Sequence, residues 1–384
     1  MAAVSTSMSI SILHWSRGDP LHLSPRGQRA AHLALGLGRH IETFLELGSE
    51  DESLRGERIG SPWHRSSLRR AAELVLIDKF ELSARWRLRH WQPQGGAIVL
   101  VGAPFSPMSI AGHKCHDIPI VVDVGDPWAL TNRARIGSPV RRRRAQRAEE
   151  SLWHRADAAI VTTRGQADAL EFLFPHLRLL VRPNGYNGGG MDRENDLRIT
   201  RSTSYGRELR LVHYGSLYGE RAPFKKIFEE LISCGRWERI LLRQRGPDWT
   251  HVLDDLPPSV FVEHMKTLPW AEVQTEAEEF DAAVVFGWLD PNQMPSKAVQ
   301  YLTLPIPRLA ITTDDEHDSL AEYATRQPGW VVLRGNAGEA AALVSEHISR
   351  PWTYGDLASP YAESWPAVEE QLARFVTAVI IGKI

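Results

Sequence analysis

The chain has 384 residues, 43% hydrophobic and 24% charged, with a formal net charge of -2. Such a composition is that of a globular protein, the length exceeds one ordinary core and predicts two domains, and the near-neutral balance implies no nucleic-acid partner. Two distant cysteines, Cys115 and Cys234, exclude a disulfide framework and suit a reducing cytosol, and no apolar run approaches the ~20 residues of a membrane span.

The start, MAAVSTSMSISIL, lacks a basic region followed by a long apolar one, so no signal peptide is expected. A strand is expected at 9–13 and a helix at about 27–39. AIVLVGAP (97–104) and IPIVVDVGDPW (118–128) lack polar alternation, which marks buried parallel strands. A charged helix follows at 139–156, then a strand at 158–163, a helix at 166–174 and a strand at 177–183. The alternation predicts a doubly wound α/β sheet. Residues 186–208 are Gly-rich, then polar and aperiodic, as in an interdomain linker.

The same rhythm restarts with a strand at 209–215 and a helix at 224–232. Strands are expected at 239–246, 260–265, 280–288, 308–312 and 330–333, with helices at 270–279 and, amphipathic and last, 364–380. Open α/β sheets bind ligands beyond the carboxyl ends of their strands, so function is expected on loops such as those after Leu13, Val124, Gly215 and Trp288. Thirteen Trp residues are many; most are expected in cores, with a few free to line a cleft for sugars or rings.

Five stretches in order now carry a resemblance: SPRGQRAAHLALGLGRH; ADAAIVTT followed by VRPNGYN; LVHYGSLYGERAPF; MPSKAVQYLTLPIPRLAIT; and YAESWPAVEEQLARF. Together they resemble GT-B glycosyltransferases of the retaining, nucleotide-sugar-dependent, family 4-like group. The resemblance implies an α/β protein with two Rossmann-like doubly wound domains facing a cleft. Residues 1–185 would form the acceptor side, 186–208 the linker, 209–360 the nucleotide-sugar domain, and 361–384 a helix packing back on the first domain. It also implies a metal-independent transferase with no cofactor beyond its donor. That donor would be a nucleotide diphosphate sugar; the acceptor is open among small molecules, saccharides and lipid-linked species.

Pro295, Ser296 and Lys297 stand where a helix would begin, and helix starts hold phosphate through unpaired N–H groups and partial positive charge. A plain helix start with a surface lysine is the alternative. Gly215 permits close backbone approach to a ligand, with Ser216 beside it. The resemblance places an arginine or lysine in this loop, and Arg221 is the match, with Lys225 and Lys226 behind it. It also implies two glutamates eight positions apart, one at the sugar and one at the ribose. This chain has Asn292 and Gln300 instead. An amide still hydrogen-bonds ribose, but it brings no negative charge to the transition state. Either another carboxylate such as Asp290 substitutes, or catalysis is lost and the chain is a silent scaffold. A nucleotide-sugar epimerase on this fold is a third possibility.

On the acceptor side the resemblance points to Gly27. Asp123 and Asp126 end a strand and would position an acceptor hydroxyl or amine; turn capping is the alternative. His14, just after the first strand, is an acceptor contact or base. His113, Cys115 and His116 are too few and too close for a zinc site and read as a polar loop. Arg141, Arg142, Arg143 and Arg144 read as a solvated helix face or as a contact with an anionic surface, which leaves a peripheral membrane contact open for an otherwise cytoplasmic protein.

Overall fold

The computed structural model describes residues 9–14, 25–38, 41–46, 76–78, 80–93, 95–102, 105–126, 128–130, 138–186, 198–199, 208–217, 221–222, 224–249, 251–335, 339–357 and 361–382. Two compact units emerge, one of Met1–Asn184 with Pro366–Ile384, the other Gly185–Trp365.

In the first unit, β1 (Ile10–His14), β2 (Ile41–Glu46), β3 (Ala97–Gly102), β4 (Ile120–Val124), β5 (Ala158–Val161) and β6 (Arg178–Val181) form a parallel sheet in the order β2-β1-β3-β4-β5-β6. β3, β4 and β5 are buried along their whole length, as continuous apolar runs require when helices cover both faces. Helix Pro139–Trp153 begins where Ser138 accepts from Arg141 N at 3.5 Å and Pro139 takes the first turn, where its missing N–H costs nothing. Thr163 does the same for helix Arg164–Leu173, accepting from Gln166 N at 3.3 Å. The last helix, Trp365–Ile381, packs within this unit: Glu369 meets His32, and Arg178 Nη1 donates to Ala378 O at 3.3 Å.

In the second unit, a two-residue strand β7 (Arg198–Ile199) pairs antiparallel with β14 (Trp352–Thr353), so part of the expected linker is sheet. Residues 187–197 and 200–207 of that linker are outside the described residues, and Glu208 already belongs to the next strand. The main sheet is parallel, ordered β10-β9-β8-β11-β12-β13, from β8 (Glu208–Tyr214), β9 (Arg239–Arg245), β10 (Val260–Met265), β11 (Ala282–Phe286), β12 (Arg308–Thr312) and β13 (Trp330–Arg334). Apolar residues fill both of its faces, with Phe228, Leu242 and Val284 on one and Phe280, Val285 and Ala298 on the other.

Strand β2 and five helices (Glu81–Arg87, Phe105–Lys114, Ser319–Thr325, Ala340–Ser349 and the single turn Tyr354–Leu357) are additions to the expected elements. Phe105–Lys114 absorbs His113 and Lys114, so half of the expected polar loop is helix; Pro107 fits because it stands in the first turn. Cys115 is buried, which pushes its thiol up to about 12. Among the described residues no group of three His, Cys, Asp or Glu could hold a metal, and no helix is long and apolar enough to cross a membrane.

The arginine run is not one uniform face. Arg141 Nε donates to Ile77 O at 2.8 Å, and Arg144 Nη2 to Glu81 Oε1 at 2.9 Å. Two of the four therefore act as internal struts, which weakens both the solvated-face and the anionic-surface expectations.

Candidate functional site

Each unit presents its expected site residues at the carboxyl ends of its strands. In the first, parallel register puts His14 beside Val101 and Val101 beside Asp123, so His14 and Asp123 stand in one row, two strands apart, on the same face. Both are 1% exposed. Arg29 Nε donates to both oxygens of Asp123, at 2.8 and 2.7 Å. Its Nη1 donates to Pro183 O at 3.1 Å and to Asn184 Oδ1 at 3.3 Å. Asp123 is thus spent on a buried ion pair that ties a helix to the chain leaving β6, rather than held open for an acceptor. Asp126 is half-buried in the turn after β4, and Gly27 lies inside helix Pro25–Gly36 rather than in the loop before it. The loop after β1 is outside the described residues.

This assignment has a direct test. Asp123→Ala should destabilise the first unit by roughly 3–5 kcal/mol, because it strands a buried guanidinium. Chemical denaturation would show it. A fold of unchanged stability would return Asp123 to the acceptor side.

The second unit gathers more of its expected residues. Gly215 follows β8 with φ +142°, a conformation open to glycine, and a Cβ there would touch Lys297 Cγ and Cε at 3.5 Å and His213 Nε2 at 3.7 Å. The loop after the first strand and the Pro-Ser-Lys segment therefore meet side to side. Gly246, after β9, has no room at all: its Cβ would lie 2.7 Å from Gly215 O. Gln244 Nε2 donates to that same oxygen at 2.7 Å, so the two strand ends are locked together.

The Pro-Ser-Lys segment differs from expectation. The helix it opens is a single turn, Lys297–Gln300, running into a 3-10 turn at Tyr301–Thr303, and Ser296 makes no capping bond through its side chain. One turn supports little dipole. The positive charge here belongs to the Lys297 side chain itself. Lys297 Nζ donates to Gln300 Oε1 at 2.8 Å and lies 5.6 Å from the Trp270 ring centroid. It has no carboxylate partner among the described residues, and burial holds its pKa below the usual lysine range.

Arg221 lies across from it on the other loop. Its guanidinium stacks 3.9 Å over the Trp288 ring, and Nη1 donates to Phe286 O at 3.2 Å. Cation-π and carbonyl contacts hold the group in one place. Lys225 and Lys226, by contrast, are exposed on helix Lys225–Ser233. Asp290 Oδ1 accepts from Asn292 N at 3.0 Å, so this pair closes a turn after β11. Ser216 is exposed, and Pro295 and Ser296 are half-buried beside Lys297.

Two residues that the sequence did not single out hold this arrangement. Tyr301 is fully buried, and its hydroxyl accepts from Tyr214 N at 2.5 Å, which fixes the single turn to the end of β8. Arg308, also fully buried, gives Nε to Tyr301 O at 2.6 Å and Nη2 to Leu302 O, Leu304 O and Leu357 O at 2.8, 2.6 and 3.1 Å. Its Nη1 donates to Pro328 O at 3.0 Å. Burial lowers its pKa to about 9, so it remains charged at neutral pH.

No family model matches the sequence, and no curated protein does. Solved structures match by fold. HepE from Anabaena bound to UDP-glucose aligns over 97% of this chain and 100% of that one, at 11% identity and TM-score 0.57. The same protein bound to UDP aligns over the same shares at 12% and 0.56, and bound to UDP and glucose at 12% and 0.55. With two parallel, helix-covered sheets that match along nearly the whole chain, the protein has the GT-B fold.

Proposed function

We propose that this protein is a glycosyltransferase that moves a sugar from a nucleotide diphosphate sugar to an acceptor hydroxyl or amine, with retention of configuration. One observation carries the proposal: Lys297 is a half-buried cation without a carboxylate partner among the described residues, set against the close-approach glycine Gly215. A partly desolvated ammonium with no carboxylate beside it gains from an anion, and a diphosphate is such an anion. Arg221 would share that charge and stabilise the leaving diphosphate, so the chemistry needs no resident metal. Gln300, already bonded to Lys297, is within one helical turn of the same place and is the candidate for the ribose hydroxyls. The UDP and UDP-glucose complexes of HepE, on the same fold, support a nucleotide-sugar donor here. The first unit would carry the acceptor groups, with half-buried Asp126 the best placed.

A silent scaffold is the second reading, and the amides of Asn292 and Gln300 favour it. Thermal shift against UDP, GDP, TDP and their sugars comes first: a ligand at 100 times its Kd should stabilise by about 2.7 kcal/mol. No shift with any of them would sink donor binding. Sugar transfer or donor hydrolysis by the binding nucleotide then separates enzyme from scaffold; binding without turnover would favour the scaffold.

A further inference from the structure

His213 is the penultimate residue of β8 and is 5% exposed. Its Nδ1 lies 2.8 Å from Val284 O, a carbonyl that only accepts, so Nδ1 carries the proton and Nε2 is left with a lone pair. Nε2 has no hydrogen-bond partner among the described residues and lies 3.7 Å from the point where a Cβ on Gly215 would stand, the same point that Lys297 approaches. An unpartnered ring nitrogen is thereby aimed at the close-approach glycine of the donor loop.

The surroundings of the ring are mixed in sign. Lys297 and Arg221 disfavour its protonation, and Asp248 favours it. Tyr301 Oη lies 3.4 Å from Nδ1, Phe286 packs against the ring at 5.2 Å, and Gln244 is its neighbour in the sheet. Burial, then Arg221 and Lys297, push the imidazole down to about 3, so it is neutral before ligand arrives. An anion placed between the two cations reverses that balance. One phosphate charge at hydrogen-bonding distance favours the imidazolium about a thousandfold at a protein-like dielectric.

We propose that His213 is a diphosphate-binding residue that takes up one proton from solvent as the donor arrives, so that Nε2–H donates to a phosphate oxygen. The proposal rests on the donor site described above and deepens it: binding at that site is coupled to a proton. The neutral ring would also spare the empty site a third positive charge.

The test is calorimetry with whichever of UDP-glucose, TDP-glucose, ADP-glucose and GDP-mannose binds. Titrations at pH 5 in buffers of different ionisation enthalpy should reveal net uptake of close to one proton, and titrations at pH 7 only about a tenth of that. Affinity should rise roughly tenfold from pH 7 to pH 5, a window in which the diphosphate diester itself does not titrate. His213→Gln, which keeps an amide donor but cannot titrate, should bind with no uptake and a flat pH profile. His213→Asn serves if the glutamine does not fold. Zero uptake by the natural protein, or the same uptake in the folded variant, would overturn the role of His213 and leave the donor site standing. If none of the four sugars binds, the donor site falls, and the role of His213 with it.

Discussion

Lys297→Met should lower nucleotide-sugar affinity by about 10- to 150-fold, the worth of one hydrogen bond to a charged group. The same change should leave the apo protein as stable as before, or more so. The reason is the environment of the ammonium. It is half-buried, its one hydrogen-bond partner among the described residues is an amide oxygen, and its pKa is depressed by desolvation alone. Methionine has nearly the length of lysine and removes the desolvation cost. The two measurements pull apart only for a ligand-binding cation. A structural lysine would lose stability and leave affinity unchanged, so thermal midpoints and titrations of the same variant decide the matter.

Arg308→Met should have the largest effect on stability of any single change in the second unit. It removes a donor from five backbone carbonyls, Tyr301, Leu302, Leu304, Pro328 and Leu357, of which Tyr301 O keeps Leu304 N at 3.0 Å. Each buried, unsatisfied group costs about 1–3 kcal/mol, so the loss should reach at least ~4 kcal/mol. That corresponds to a fall of roughly 10 °C in the unfolding transition of this unit. Arg308→Lys should recover only part of it, since an ammonium has three donors and no planar fork. An Arg308→Met protein that melts at the natural temperature would mean that the carbonyls find other donors and that the clamp on 301–304 is dispensable.

The fold was legible wherever burial writes itself as an apolar run. β10 and β12 fall on the expected residues, and most other strands within two or three of them, because a strand covered on both faces has little room for polar residues. β2 was not, since IETFLE at the sheet edge interrupts its apolar residues with charge. Helix Phe105–Lys114 hid behind a proline that its first turn tolerates. The sequence singled out Gly215, Arg221 and Lys297 as a glycine and two cations beyond strand ends, and the structure brings Gly215 and Lys297 together. Asp123 misled because a carboxylate at a strand end looks the same whether it faces solvent or Arg29, and Arg29 is 94 residues away in sequence. His213 and Arg308 were hidden inside strands, where each reads as a minor break in an apolar run. The available signal was their oddity: a titratable side chain within a buried strand needs partners, and those partners identify it.

Gly246 bears on how relatives of this chain should be compared. The space its side chain would need is occupied by the carbonyl of Gly215, so any other residue there displaces the loop after β8. Selection for ligand binding would then fall on a position with no assigned contact to the ligand. Across an alignment, column 246 should look as invariant as column 215, and substitutions in one should be tolerated only alongside a reshaped loop at the other. Invariance at 246 would therefore be a signature of the backbone path around the proposed nucleotide site, not a sign of one more binding residue.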